Sequence, residues 1–373
     1  MSYRTVVVLG SFADSLVRFR GHLIASLTQR GHRVVACAPG AGADVVNSLA
    51  AMGAEYRDVS LRRAGLNPYW DLATLWSLFR LFRELKPDVV FAYTIKPVVY
   101  GSMAGALAGV PRRFALITGL GFAFTDGGGR LRRLTGAIAR LMYRAALSRC
   151  QGVFLQNPDD LALFRSQRIL SDTQAVSLVP GSGIDVDEYP FRPAGRGPNF
   201  LMIARLVRDK GVREYVDAAR LVKSRFPDAR FRLIGWIDEN PTAITRADLD
   251  AWVAEGVIEY LGHVRDVRPP LCECAAYVLP SYREGTPRTV LEAMAIGRAI
   301  VTTDAPGCRE TVVDGDNGFL VPVADSAALA DALIRLLQDP ALIESFGRRS
   351  REVAIEKYDV RLISRLLIDK MGL

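Results

Sequence analysis

The sequence predicts an α/β protein with two doubly wound parallel sheets, and three observations support this fold class. Short β-branched and apolar runs alternate with stretches of helical periodicity along almost the whole chain of 373 residues. Most of these runs are apolar at successive positions, as in strands of a parallel sheet that helices cover on both faces. A stretch rich in Pro and Gly, residues 181–198, separates two groups of runs and is typical of a linker between domains.

Ten of the apolar runs are predicted as strands, five on each side of the linker. In the first half they are Thr5–Leu9, Val34–Ala38, Asp88–Ala92, Phe114–Ile117 and Gly152–Leu155. In the second half they are Asn199–Ile203, Ala229–Ile234, Val257–Tyr260, Ala276–Leu279 and Ala299–Thr302. We therefore expect one domain over residues 1–180 and a second over residues 199–358, each with its own core.

The composition excludes several classes of protein. Half of the residues are hydrophobic and 24% are charged, which is too apolar for a disordered chain. Five cysteines, of which only Cys272 and Cys274 are close together, and three histidines make a poor set of metal ligands. No uninterrupted apolar run reaches the roughly 18 residues of a membrane span, and the first residues lead directly into a strand pattern rather than a signal peptide. We expect reduced thiols, a cytoplasmic location and no metal.

The excess positive charge lies in the first half of the chain. Residues 1–195 carry 23 Lys and Arg against 14 Asp and Glu, a net charge of +9, whereas residues 196–373 have a net charge of −1. Two helical patterns, Leu72–Leu85 and Arg130–Arg144, combine arginines with apolar residues. Such helices can lie on an anionic membrane, where each Lys or Arg contributes about 1 kcal/mol, or can be ordinary surface helices with an apolar stripe in the core. We found no nucleic-acid-binding motif, so we expect an anionic membrane surface as a partner and no nucleic acid.

The loops that follow the strands are where we expect the chemistry. In open parallel sheets, ligands bind beyond the carboxyl ends of the strands, so two such domains would hold a ligand in the cleft between them. The loop after the first strand, Gly10–Asp14, lacks the Gly-x-Gly-x-x-Gly fingerprint, and the sequence contains no Gly-Lys-Ser/Thr phosphate loop. Nicotinamide and P-loop chemistry are therefore disfavoured.

The loop after the fourth strand of the second half contains the strongest candidate site. Gly285, Thr286 and Pro287 form a predicted tight turn whose backbone N–H groups lead into a helix N-terminus, which favours an anion. Glu284 precedes this turn, and Glu292 lies about a turn and a half into the helix. Two carboxylates in one neighbourhood suit the hydroxyl groups of a ribose and a hexose, although two glutamates eight positions apart are by themselves more often solvated.

Two cations follow the strand Asn199–Ile203 at a strand-to-helix turn. Arg205 and Lys210 are five positions apart, and Gly211 follows them. Together they would neutralise a diphosphate without a metal ion, Arg through its bidentate fork and Lys as a point charge. Taken alone the pattern is equally typical of two surface cations. Cations near a helix N-terminus oppose the helix dipole, however, so a bound anion explains them better.

Together these motifs resemble those of the retaining, nucleotide-sugar-dependent glycosyltransferases of family 4, which have the GT-B fold of two Rossmann-like domains. The segments that carry the resemblance are Arg205–Gly211, Glu284–Gly297, Ser177–Asp185, Leu261–Val264 and Asp314–Pro322. It implies that Glu284 contacts the donor sugar and that Arg205 and Lys210 hold the diphosphate of UDP. The other donor-binding residues that it implies are Glu292 at the ribose, His263 and Val264 at the uracil, and Gly235, Gly285, Thr286 and Pro287. It also implies that the helical stretch 359–373 crosses back to the first domain and that the UDP-sugar is a co-substrate, with no cofactor.

The first half resembles a narrower set, the enzymes that extend undecaprenyl-diphosphate-linked sugars in bacterial surface-glycan and N-glycan biosynthesis. Within this set it is most similar to the N-acetylgalactosaminyltransferases of the diacetylbacillosamine pathway type. The segments involved are Val17–Arg20, Arg63–Pro68, Tyr93–Pro97, Arg113–Gly121 and Gly235–Pro241. The acceptor-binding residues that this resemblance implies are Phe19, Arg20, Lys96, Thr118 and Gly119, in a protein peripheral to the cytoplasmic face of the inner membrane.

One feature departs from the family pattern. Many family 4 enzymes have a histidine close to the reacting sugar, but the loops that could supply it here are Thr94–Lys96 and Thr118–Leu120. Because these loops contain no histidine, Lys96 is the candidate for orienting the acceptor. A lone lysine in such a loop more often caps a helix or meets solvent.

These inferences predict a retaining glycosyltransferase with Glu284, Arg205 and Lys210 as its catalytic residues. It would move a hexosaminyl group, N-acetylgalactosamine or N-acetylglucosamine, from a UDP-sugar to an undecaprenyl-diphosphate-linked saccharide. A UDP-sugar 2-epimerase is an alternative that shares the fold and the donor half, but the shortage of histidines and the basic first half count against it. A non-catalytic protein that binds polyanions or membranes is the third alternative.

Overall fold

The computed structural model describes residues 3–62, 67–119, 130–195, 197–238 and 242–373, without the side chains of residues 68 and 130–135. The chain forms two compact units. The first comprises the residues up to Ser182 together with Arg361–Leu373, and the second comprises Gly183–Val360. Each unit contains one parallel sheet with helices packed against it, so the predicted fold class is confirmed.

The first unit has a seven-stranded sheet in the order β3-β2-β1-β4-β5-β6-β7. Its strands are β1 Thr5–Leu9, β2 Arg33–Ala38, β3 Glu55–Asp58, β4 Val89–Tyr93, β5 Arg112–Ile117, β6 Gly152–Leu155 and β7 Val176–Leu178. Its helices, up to the boundary, are α1 Ala13–Arg18, α2 Gly21–Gln29, α3 Ala43–Ala51, α4 Pro68–Leu85, α5 Ser102–Leu107, α6 Arg130–Leu147 and α7 Pro158–Ser166, with a π-helical turn at Pro97–Gly101.

The second unit has a six-stranded sheet in the order β10-β9-β8-β11-β12-β13. Its strands are β8 Asn199–Ile203, β9 Arg230–Ile234, β10 Glu259–Tyr260, β11 Ala276–Leu279, β12 Ala299–Thr303 and β13 Gly318–Val321. The remaining helices are α8 Val212–Lys223, α9 Arg246–Ala254, α10 Arg268–Glu273, α11 Arg288–Ile296, α12 Ser326–Gln338, α13 Pro340–Tyr358 and α14 Val360–Met371, with short 3₁₀ turns at Arg208–Lys210 and Arg309–Thr311.

The sheet of the first unit separates two hydrophobic cores. Successive side chains of a strand point to opposite faces, so Val6 and Val8 of β1 pack in one core, whereas Val7 and Leu9 pack in the other. Helix α14 completes the core of Val6 and Val8, and α4 and α6 contribute to the core on the other face. Because both faces are covered, the central strands read as continuous apolar runs.

All ten predicted strands are present, four of them with the predicted ends and the other six with an end shifted by one or two residues. Three further strands, β3, β7 and β13, were not predicted. Each of them lies at the edge of its sheet, where one side of the strand is left without a partner.

The strand order of each sheet reverses beside its first strand. In the first sheet the reversal lies between β1 and β4, and in the second it lies between β8 and β11. Loops that leave two such neighbouring strands run to opposite faces of the sheet, and the crevice between them is where open α/β sheets bind ligands. The predicted diphosphate and donor-sugar residues follow β8 and β11, and the predicted acceptor residue Lys96 follows β4.

Candidate functional site

A glycine allows the loops after β8 and β11 to touch. Gly211 has a φ of 72°, and a Cβ atom there would lie 2.1 Å from the carbonyl oxygen of Pro280. Beside this contact, the backbone N–H of Tyr282 donates to the carbonyl oxygen of Asp209 at 2.9 Å. These contacts hold Lys210, the residue before Gly211, next to the loop that contains Glu284.

Lys210 and Glu284 form an ion pair at this point, with Nζ donating to Oε1. Their side chains are only 18% and 13% exposed, so the pair is largely withdrawn from water. The backbone of Glu284 is also fixed, because its N–H donates to the carbonyl oxygen of Pro306 at 2.9 Å. A Cβ atom at Gly307 would lie 2.3 Å from the Glu284 carbonyl oxygen, so this second loop also packs closely against it.

Cys308 lies close to this pair but is not suited to be a nucleophile. Burial, together with the nearby charge on Glu284, raises the pKa of its thiol to about 12. The thiol therefore stays protonated at neutral pH and behaves as a small apolar group.

Arg205 forms a second, more exposed pair with Asp238. Nη1 donates to Oδ2 at 3.0 Å, and the two side chains are 44% and 23% exposed. The loops after β8 and β9 meet here, since a Cβ atom at Gly235 would lie 1.9 Å from the carbonyl oxygen of Ala204. An exposed pair of this kind contributes about 0–1 kcal/mol to stability. A bound anion can therefore replace Asp238 as the partner of the Arg205 guanidinium.

Glu292 is buried in α11 and has two polar neighbours. Arg288, one helical turn earlier, donates from Nε to its carboxylate at 3.1 Å. Tyr189 lies near the same carboxylate, and burial together with the Glu292 charge raises the pKa of this tyrosine. The turn Gly285–Pro287 leads directly into α11, whose N-cap is Pro287.

The predicted uracil-binding residues His263 and Val264 lie in the loop after β10. The Gly235 N–H donates to the carbonyl oxygen of Gly262 at 3.0 Å, which joins this loop to the one after β9. The indole of Trp236, itself exposed, meets the His263 ring edge to face with centroids 5.4 Å apart. The carboxyl ends of β8, β9 and β10 thus present an aromatic surface beside the Arg205 cation.

Three partners of the predicted donor residues were missed by the sequence analysis: Asp238, Arg288 and Tyr189. Arg288 could have been found, because it stands four positions before Glu292 in a predicted helix, a spacing that favours ion pairs. Asp238 and Tyr189 reach their partners through the folded chain, and no local pattern indicates these contacts.

The predicted acceptor residues lie between α1 and α2 and in the loops after β4 and β5. Phe19, the C-cap of α1, is partly exposed, whereas Arg20 is buried and lies over the Tyr93 ring at 4.8 Å. Thr118 and Gly119, after β5, are half-buried. The structure thus makes Arg20 part of the packing of this unit.

Lys96, after β4, is paired with a residue of α4. Its Nζ donates to the carboxylate of Asp71 at 2.9 Å. The segments 63–66, 120–121 and 239–241, which also carry the predicted resemblance, lie outside the described residues.

Helices α4 and α6 of the first unit expose apolar side chains. Tyr69, Leu72 and Trp76 of α4 and Ile138 and Leu141 of α6 are exposed, although both helices pack against the same core. None of the described helices combines the length and the apolar character needed to cross a bilayer. Within the same described residues, no three His, Cys, Asp or Glu side chains converge as metal ligands.

Two protein-family models match the chain. Residues 16–181 match the glycosyl transferase 4-like domain, and residues 197–339 match the glycosyl transferases group 1 model. The two matches together take in most of the chain.

Among characterised proteins, the chain is similar to the N,N'-diacetylbacillosaminyl-diphospho-undecaprenol alpha-1,3-N-acetylgalactosaminyltransferase of Campylobacter jejuni. The two are 27% identical over 365 residues, which is 94% of each chain. This chain is also similar to the UDP-Gal:alpha-D-GlcNAc-diphosphoundecaprenol alpha-1,3-galactosyltransferase of Escherichia coli. The two are 26% identical over 73% of this chain and 72% of the other.

The fold is that of solved GT-B glycosyltransferases. Sucrose-phosphate synthase from Thermosynechococcus elongatus superposes with a TM-score of 0.80 at 17% identity, covering 99% of this chain and 98% of the other. Anabaena HepE, solved in complex with UDP and glucose, superposes with a TM-score of 0.76 at 17% identity over 99% of both chains.

Proposed function

This chain belongs to the group 1 glycosyltransferases with a family 4-like first domain, and on that premise we propose a donor, an acceptor and a stereochemical course. The donor is a UDP-hexosamine, UDP-N-acetylgalactosamine or UDP-N-acetylglucosamine. The acceptor is an undecaprenyl-diphosphate-linked saccharide at the cytoplasmic face of the inner membrane. The reaction retains the configuration of the anomeric carbon.

The observation that carries the donor half of this proposal is the Lys210–Glu284 pair at the reversal between β8 and β11. A cation and a carboxylate meet there in a place that excludes most water, with Arg205 on the same strand end. A diphosphate satisfies the two cations, and the hydroxyl groups of the transferred sugar can donate to Glu284. This is why we assign the UDP moiety to Arg205 and Lys210, and the sugar to Glu284.

The chemical step needs no metal ion or other cofactor. The bond between the anomeric carbon and the UDP oxygen breaks while an acceptor hydroxyl oxygen bonds to the same face of that carbon. The acceptor proton passes to the departing phosphate oxygen, so no separate base is required. Arg205 and Lys210 stabilise the negative charge that develops on UDP, a contribution of about 2.7–4 kcal/mol for a single well-placed donor in other enzymes.

The nature of the two relatives supports a lipid-linked acceptor. The names of both the Campylobacter and the Escherichia enzyme specify a saccharide on diphospho-undecaprenol. The first half of the chain also has the features expected of a surface that rests on an anionic membrane. These features are the net positive charge of residues 1–195 and the exposed apolar side chains of α4 and α6.

The epimerase alternative has no support in the comparisons, because both matched models describe glycosyl transferases. It also makes a different prediction. An epimerase converts its UDP-sugar without an acceptor, whereas a transferase releases UDP in proportion to glycosylated acceptor.

The proposal is tested with purified protein, a panel of UDP-sugars and short-chain polyprenyl-diphosphate saccharides. We expect one UDP-hexosamine to give an acceptor heavier by one N-acetylhexosamine, with an α linkage by NMR. A Lys210→Met variant is the matched control and should give little product. Release of UDP without a glycosylated product, conversion of the UDP-sugar to an epimer, or a β linkage would contradict the proposal.

A further inference from the structure

The carboxylate of Asp71 is held by Lys96 of the loop after β4, whose Nζ donates to it at 2.9 Å. Tyr100, in the same loop, lies near Asp71, and burial together with the Asp71 charge raises the pKa of its hydroxyl. The Lys96 and Asp71 side chains are 13% and 14% exposed. Surface pairs such as Arg57–Glu84, at 3.6 Å, are far more open. The Lys96–Asp71 contact is therefore an ion pair that is largely shielded from solvent.

The loop that contains Lys96 has an unusual backbone. Thr94 has a φ of 68°, a left-handed conformation that is rare for a β-branched residue. The Pro97–Gly101 segment that follows is a π-helical turn. Left-handed non-glycine residues and π-turns are costly and concentrate at functional sites, so the shape of this loop is itself a sign of a specific role.

The same loop borders the reversal between β1 and β4. The Thr94 hydroxyl donates to the Ser11 hydroxyl at 2.9 Å, which joins the loops after these two strands. Lys96 is therefore anchored at the place in the first sheet where a ligand is expected.

The chemistry of the pair explains what Asp71 does. An ammonium group has three N–H donors, so Lys96 can bond to Asp71 and still donate to a ligand. Without the Asp71 carboxylate, the largely desolvated Lys96 ammonium would have no counter-charge. The lysine side chain would then favour a conformation that exposes the ammonium to water. Burial and the Asp71 charge raise the pKa of Tyr100, so its phenol stays protonated and adds no second negative charge beside the carboxylate.

We propose that Asp71 is a positioning residue for the acceptor: it holds the Lys96 ammonium at the β1–β4 reversal, where that ammonium donates to the lipid-diphosphate-linked saccharide. The inference rests on the proposed function and adds a residue to it. Asp71 lies in the first turn of α4, whose exposed side chains include Leu72 and Trp76. Asp71 therefore connects the loop that contains Lys96 to the helix whose exposed apolar side chains lie in the same unit.

Steady-state kinetics with separately varied donor and acceptor test this role. For Asp71→Asn and for Lys96→Met we expect kcat/KM for the acceptor to fall at least about tenfold, as for loss of one charge-assisted hydrogen bond. The KM for the UDP-sugar and the rate of UDP-sugar hydrolysis without acceptor should stay within twofold of wild type. Because Asp71 acts through Lys96, adding Asp71→Asn to Lys96→Met should produce no further loss.

The matched control is Glu84→Gln, which removes a carboxylate from the same helix but from an exposed pair, and it should behave as wild type. Tyr100→Phe is a milder variant in case Asp71→Asn does not fold. It removes the polar hydroxyl group beside Asp71, and we expect a smaller loss confined to the acceptor. An Asp71→Asn or Tyr100→Phe enzyme with wild-type acceptor kinetics, an equal rise in donor KM, or additive losses would overturn the inference. Absence of lipid-linked transfer by the wild-type enzyme would instead overturn the proposed function.

Discussion

The Lys210 ammonium is paired with the Glu284 carboxylate, although the two residues are 74 positions apart in the sequence. The pair stands where the strand order of the second sheet reverses, and both side chains are mostly withdrawn from water. A diphosphate that binds Lys210 must therefore share it with Glu284. This competition has consequences that can be measured separately for nucleotide binding and for transfer.

Glu284→Gln should affect nucleotide binding and transfer in opposite directions. UDP alone should bind several-fold more tightly, because a negative charge near the diphosphate is removed. The rate of transfer should fall about 10- to 100-fold, the equivalent of one hydrogen bond to a charged group. The reason is that the hydroxyl groups of the sugar can no longer donate to the Glu284 carboxylate. Calorimetric titration with UDP and initial-rate assays check the two effects, with the exposed Glu344→Gln as the control. Weaker binding of UDP would show that the carboxylate does not compete for the cation.

Gly211→Ala should disrupt the site through the backbone. Gly211 and Gly256 both have a φ of 72°, but only at Gly211 would a Cβ atom meet another loop, 2.1 Å from the Pro280 carbonyl oxygen. Gly256→Ala should thus cost about 1–2 kcal/mol for the left-handed backbone alone. Gly211→Ala should cost more and should also lower transfer, because Lys210 is displaced from Glu284. Urea unfolding and rate assays compare the variants, and equal behaviour of the two would contradict the close contact.

Arg298→Lys should destabilise the second unit. The Arg298 side chain is fully buried, and burial lowers its pKa. Its guanidinium donates to the backbone carbonyl oxygens of Arg192, Pro193, Cys272, Cys274 and Ile296. A lysine cannot supply this planar set of donors, so we expect a loss of about 3 kcal/mol or more. Arg230→Lys, in an exposed pair with Glu259, should leave the midpoint of the same urea titration close to that of the wild type. A similar midpoint for both variants would refute the prediction.

Membrane binding should depend on the exposed leucines of the first unit. Leu72→Ser in α4 and Leu141→Ser in α6 should each reduce flotation with anionic vesicles, since burial of a leucine side chain contributes about 1.5–3 kcal/mol. Leu221→Ser, at an exposed position of α8 in the second unit, is the matched control. Raising the salt concentration should weaken binding as well, because the attraction of Lys and Arg to the surface is screened. Binding that ignores both changes would contradict a basic, apolar membrane surface.

The central strands could be predicted from the sequence, whereas three of the four edge strands, β3, β7 and β13, could not. A strand such as β1 is buried on both faces and therefore reads as Thr-Val-Val-Val-Leu. Strand β3 reads Glu-Tyr-Arg-Asp and is mostly exposed, so neither its composition nor its periodicity distinguishes it from a loop. Strands β7 and β13 have three and four residues. At an edge, backbone pairing with one neighbour is sufficient, and the pattern of side chains carries little signal.

The charged residues of the candidate site could also be found from the sequence, because they follow strands at recognisable turns. Apart from Arg288, their partners could not. Lys210 and Glu284 were separately predicted to bind the donor, but their pairing depends on the contact of Gly211 with Pro280. Asp71, 25 positions before Lys96, gives no local signal, since only the packing of α4 beside the loop after β4 brings the two together. The roles assigned to these residues remain predictions.

The central claim is that Arg205 and Lys210 of the second unit hold the diphosphate of the nucleotide. Its most direct test is a calorimetric comparison of UDP and uridine binding to the wild-type enzyme, Arg205→Met and Lys210→Met. Uridine should bind all three proteins equally. UDP should bind Lys210→Met about tenfold or more weakly, as expected for a lost hydrogen bond to a charged group, and Arg205→Met several-fold more weakly. Wild-type affinity of both variants for UDP would contradict the account.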